Sequence, residues 1–239
     1  MRAFFDIYEN KDKNAQIVEC AMKVSGSPFS RSADNETIEE LALLLPCTEP
    51  LAQQYMGMGA NTRASFNVSA AISYAEKYAT SRNTPTYYSF SNGDCANFVS
   101  QILENAGVSQ IQYNDVAKGW WHKRESGFLG IGYKHTHSQS WSMADTFARY
   151  QGVRYSTTSN LSFSANLTNG CFIVADFEND GDWDHCGFVT QSDSYKGSYG
   201  YYDYKVAQHT SDYLGWASLD KNNWEKIGGD GGKYARVRN

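Results

Sequence analysis

"SNGDCANFVSQILENAG", residues 91–107, sets a polar turn, an acid and a cysteine ahead of a run in which Phe98, Val99, Ile102, Leu103 and Ala106 recur at helical spacing. The pattern predicts a helix with one apolar face. Asp94 is the expected N-cap, its carboxylate accepting backbone N–H groups two or three residues on, and Gly107 stands where a left-handed residue would end the helix. Cys95 then falls at the first helical position. The N–H groups and dipole of that end favour negative charge, so a thiol that ordinarily titrates at about 8.5 should be held lower. A nucleophile is one reading and a buried apolar cysteine the plainer one. What separates them is a base within reach, which the rest of the chain must supply.

The chain has 239 residues, 41% of them hydrophobic, enough for one large domain or for a domain of about 150 residues with an extension. A net charge of −5, without a basic cluster interleaved with aromatics, argues against nucleic acid or an anionic membrane surface as the main partner. Aromatics make up 15%, which could line a carbohydrate or peptide groove but more often fills β-rich cores. Cys20, Cys47, Cys95, Cys171 and Cys186 show no CxxC or zinc-finger spacing, and an odd count leaves one thiol over if the others pair. Arg2, Asp6, Glu9 and Lys11 interrupt any apolar leader, and no run reaches the roughly 18 apolar residues of a membrane span. The expectation is a soluble chain, the mature part of a secreted or cell-wall-associated protein, with a cytoplasmic location the alternative and the oligomeric state open.

Residues 1–62 differ from the rest and read as an N-terminal extension of unassigned role, in which "TIEELALLLP" forms a short helix stopped by Pro46. Residues 63–239 read as the main domain. It begins with a helix over "NVSAAISYAEKYAT", residues 67–80, capped by Asn67 or Ser69, with Ala70, Ile72, Ala75 and Tyr78 on one stripe. A third helix is expected in "SWSMADTFARYQG", with Met143, Phe147 and Tyr150 inward. Beyond about residue 153 come strand-like runs, "GCFIVADF", "HCGFVTQS" and "YGYYDYKVAQHT", separated by Gly, Asp and Ser turns. Helices first and an antiparallel sheet after is an α+β layout.

Among the five histidines, His122, His135 and His137 lie in a loop-rich middle, where a solvated or hydrogen-bonding role is the default. His185 opens a strand, and Gly187 on the same face leaves room for a helix to approach. A cysteine at a helix start and a histidine on a facing strand let imidazole take the thiol proton and return it to a leaving amine. If the following hairpin turns near Lys196 or Gly197, His185 faces Gln208 or His209, either able to hold its tautomer. His209 is the first choice and Gln208 the second, since a slip of one residue changes the face. A strand-end His209 bonded to Asp212 is the plainer reading.

Taken in order, "NVSAAISYAEKYA", "GDCANFVSQILENAG", "GWW", "SWSMADTF", "DGDWDHCGFVTQ" and "VAQHTSD" resemble the bacterial putative amidase domain of the papain-like, NlpC/P60-related cysteine hydrolases, over roughly residues 65–220. The resemblance implies a papain-like α+β core, with helices packed on an antiparallel sheet. It implies a catalytic set of Cys95 as nucleophile, His185 as base and a polar third residue. It also implies amide substrates, often in cell-wall peptidoglycan, with no cofactor. Members commonly carry a small or hydroxyl residue where this chain has Cys186. The acidic run Asp176, Glu178, Asp180, Asp182 and Asp184 invites a calcium reading, but it lacks the EF-hand pattern and reads better as a solvated turn. Two rivals stand beside the amidase reading: a non-catalytic cell-wall or protein binding module on the same fold, and an acyltransferase that passes the thioester to an amine.

Overall fold

The computed structural model describes residues 66–127, 131–219 and 223–238, so the proposed extension and its helix before Pro46 lie outside the described residues. Two helices open the domain, α1 (Val68–Tyr78) and α2 (Cys95–Asn105). Asn67 is extended and its side chain accepts from the Ala70 N–H, which is the expected N-cap of α1. Its own N–H bonds the Ala106 carbonyl at 2.9 Å, tying the start of α1 to the end of α2. Gly107 closes α2 at φ +91, as the sequence predicts.

A single apolar face for α2 is an underestimate, because every residue from Cys95 to Leu103 is buried. The polar ones are affordable because each has a partner. Ser100 Oγ donates to the Trp141 carbonyl and accepts from Trp120 Nε1, and Gln101 accepts from the Tyr74 hydroxyl.

The third helix is two: α3 (Gln139–Ser142) and α4 (Ala144–Gln151), broken at an extended Met143 that is 50% exposed rather than inward. Trp141 and Phe147, both fully buried, lie six residues apart, about a third of a turn out of phase on a continuous helix. The break lets both enter one core. Ahead of α3 lies a hairpin, β1 (His122–Ser126) with β2 (Tyr133–His137), where the sequence reads as loop. Its residues are mostly exposed and show no apolar alternation. It is held by cross-strand pairs, Arg124 over the Tyr133 ring at 3.4 Å and His122 Nε2 against His135 Nδ1 at 2.8 Å.

The remaining strands are β3 (Val153–Thr157), β4 (Phe172–Asp176), β5 (His185–Lys196), β6 (Tyr202–Gln208), β7 (Tyr213–Trp216) and β8 (Lys233–Val237), with α5 (Asn160–Ser164) between β3 and β4. They form one antiparallel sheet in the order β3-β8-β4-β5-β6-β7. The fold is therefore α+β. One face, with Phe172, Val174, Cys186, Phe188 and Ala207, packs on Phe98, Val99 and Ile102 of α2 and on Trp141 and Phe147. The other, with Ile173, Val189, Val206 and Tyr234, covers Phe163 of α5 and Trp224 of a 3-10 turn, Trp224–Lys226.

The β5–β6 hairpin turns later than predicted. Lys196 faces Tyr202, and two bulges then shift the register so that Val189 faces Val206 and Phe188 faces Ala207. Continued inward, that register sets His185 across from Thr210, beyond the end of β6. His209 therefore points with Ala207 to the helices, and Gln208 points with Val206 to the opposite face.

Candidate active site

Cys95 is the first residue of α2 and is only 5% exposed. Asp94 occupies the cap position but makes no side-chain cap bond, contrary to the sequence expectation. Its Oδ1 accepts instead from the Phe90 N–H and from Asn97 Nδ2, and its Oδ2 from His209 Nδ1 at 2.5 Å. The cap carboxylate is thus turned away, and the first-turn N–H groups are not taken up by it.

The structure brings His185 and Cys186 to the Cys95 sulfur. The neighbouring Cys186 thiol first, and then the His185 ring with its charge and the Cys186 backbone N–H, outweigh burial and hold the Cys95 thiol well below the usual thiol range. Cys186, wholly buried beside that sulfur, is pushed the other way and keeps its proton. Within the pair the negative charge belongs to Cys95. Cys186 has no role in the sequence reading. Cys95, Cys171 and Cys186 are free thiols, while Cys20 and Cys47 lie outside the described residues.

His185 opens β5 and packs its ring 5.6 Å from that of Trp224. The room left by Gly187 is filled by that indole rather than by a helix: a Cβ there would meet Trp224 Cζ2 at 3.0 Å. Trp224 Nε1 donates to Gln208 Oε1 at 2.6 Å, so Gln208 lies on the His185 side and reaches it through the indole.

His209 does not take up the expected place beside His185. Its Nδ1 bonds Asp94 and its Nε2 the Tyr78 carbonyl at 2.9 Å, and its ring stacks on Phe98 at 3.9 Å. The alternative partner, Asp212, is bonded instead by Arg82, at 2.9 Å from Nε and 2.7 Å from Nη2. The physical reason is the later hairpin turn, which exchanges the faces of Gln208 and His209. Arg82 also binds the loop ahead of the cysteine, through Ser89 Oγ and the Phe90 carbonyl, a link between distant residues that nothing local in the sequence signals.

Of the remaining histidines, His122 and His135 bond each other, and His137 packs its ring 5.1 Å from that of Phe90. Burial and the neighbouring His135 and His137 lower His122 to about 4, which leaves it a neutral partner of His135. In the acidic turn Asp176 is fully buried rather than solvated, accepting from the Asp180 and Gly181 N–H groups, while Asp182 pairs with Arg149. Among the described residues no group of three or more His, Cys, Asp or Glu side chains is placed to hold a metal, and no helix is long and apolar enough to cross a membrane.

No curated protein and no solved structure matches this chain. Residues 65–236, which span α1 to β8 and contain Cys95, His185 and Cys186, match the family described as "Putative amidase domain", and the chain belongs to that family, whose description points to amide hydrolysis.

Proposed function

We propose that the protein is a cysteine-dependent amide hydrolase in which Cys95 is the nucleophile and His185 the base, on a papain-like core. The observation that carries this reading is Cys95 at a helix start, buried in one core cluster with Cys186, beside the end of β5 that His185 opens, with both neighbours lowering its thiol. The thiolate attacks the amide carbonyl and a tetrahedral oxyanion forms. The Cys95 backbone N–H, at a helix end whose cap carboxylate points elsewhere, is placed to donate to that oxygen. The C–N bond breaks as His185 gives its proton to the departing amine, leaving a thioester. Water, deprotonated by His185, then releases the acid and regenerates the thiolate.

The resemblance of the "GDCANFVSQ" and "DHCGFVT" blocks to cell-wall hydrolases supports peptide amides of peptidoglycan as the substrate class. The test is incubation of the purified full-length chain with isolated cell wall, followed by mass analysis of released fragments. New amine and carboxylate ends should appear with the native chain and be absent with Cys95→Ala. Fragments released equally by both proteins would overturn the cysteine mechanism, and failure of the native chain on cell wall but not on simple amides would overturn the substrate.

A further inference from the structure

The geometry points to His209 as a positioning residue for the nucleophile: a buried cation that clamps Asp94, and through it the helix start bearing Cys95. The inference rests on Cys95 being the nucleophile. His209 Nδ1 lies 2.5 Å from Asp94 Oδ2 and Nε2 lies 2.9 Å from the Tyr78 carbonyl. A carboxylate and a carbonyl only accept, so a ring that donates to both carries two N–H protons and is an imidazolium. It is sealed from water, at 1% exposure, and its face lies on Phe98 with the ring planes 12° apart.

The groups around it make a closed set. Arg82 Nη1 stands 3.5 Å from the same Asp94 oxygen and Arg82 also binds Asp212, whose charge His209 faces. Two cations thus meet two carboxylates. From the same segment Thr210 Oγ1 accepts from the Asp94 N–H at 2.9 Å. Thr210 and Ser211 adopt left-handed φ values of 65° and 61°, which side-chain-bearing residues rarely do and which turn this segment onto Asp94 from two directions. Without His209, the Asp94 carboxylate would be a buried negative charge next to a thiolate, with Arg82 alone at 3.5 Å to offset it.

The experiment uses the full-length chain and its His209→Gln and Asp94→Asn/His209→Gln variants, each checked for folding by circular dichroism. The rate of Cys95 alkylation by iodoacetamide is followed against pH by peptide mapping. The groups facing the Cys95 sulfur, His185 and Cys186, are unchanged in all three proteins. His209→Gln should slow alkylation about tenfold at mildly acidic pH and move the rate profile to higher pH, because it strands the carboxylate; the neutral pair should recover to within about threefold of the native rate. A folded His209→Gln with the native profile, or equal slowing in the single and double variants, overturns the proposal. Should His209→Gln fail to fold, nitrogen NMR of the native protein decides: two slowly exchanging ring protons on His209 at pH 7 support the clamp, and one overturns it. Native protein in which Cys95 is not alkylated ahead of Cys171 and Cys186 instead overturns the nucleophile reading beneath it.

Discussion

At the scale of single residues, Cys186 acts on Cys95 in a way the linear chain does not reveal. The Cys186 thiol beside Cys95 is the leading cause of that group's lowered value. Thiolate-dependent activity is retained above the lowered value and lost as pH falls through it. Cys186→Ala removes the donor, so the loss should set in at higher pH, and kcat/KM at mildly acidic pH should fall by about tenfold, the worth of one hydrogen bond to a charge. Cys186→Ser keeps a donor and should retain most of the native profile. A pH–rate profile of the three proteins checks this, and matching profiles for Cys186→Ala and the native chain would count against it. The Cys95 helix start was legible because its cue is local: an acid, a cysteine, apolar spacing and a terminal Gly107 within 14 residues. The Asp94 cap bond was misread because Asp94 is claimed by His209, 115 positions away.

Elements set the geometry between such residues. Strand β5 offers His185 at its end because Gly187 admits the Trp224 indole beneath the imidazole. In Gly187→Ala the new methyl would meet Trp224 and Val206 at 3.0 Å and Ile173 at 3.3 Å. Overpacking of this kind should cost about 1–3 kcal/mol in denaturant melts, and the displaced indole should lower kcat through His185. Helix α2 is held by Trp141, whose Nε1 donates to Asn97 Oδ1 at 2.7 Å and whose ring stacks 5.0 Å from Trp120. Trp141→Phe should destabilise by about 1–3 kcal/mol, since it leaves a buried acceptor unpaired; an unchanged denaturation midpoint would show that Asn97 finds another donor. Helices α1 and α2 and strands β4, β5 and β6 were readable from the local pattern, but β3, β7 and β8 and the break at Met143 were not. Helical spacing alone does not say that Trp141 and Phe147 must enter the same core.

Across the whole molecule, segments distant in sequence converge on the helix that bears Cys95. Arg82 of the loop after α1 joins Asp212 of the loop after β6, and this pairing holds the Asp212 carboxylate below its ordinary range. A depressed carboxylate contributes stability that is present above its unfolded value of about 3.9 and lost as pH falls through the lowered one. Asp212→Asn should therefore melt below the native protein at pH 7 by up to about 1 kcal/mol, as suits a partly exposed pair, and the gap should close at strongly acidic pH. A gap independent of pH would assign the loss to packing instead. By itself the sequence determined the α+β class, the helix start with Cys95 at its first position, and the strand opened by His185, because capping, periodicity and turn chemistry act within a few residues. Tertiary structure alone decided the exposed β1–β2 hairpin, the place of β8 between β3 and β4, and the partners of Gln208 and His209. Two bulges shift the β5–β6 register, and side chains that alternate across a strand exchange faces with a one-residue slip, so the groups beside each imidazole depend on contacts distant along the chain, 115 residues apart for His209 and Asp94.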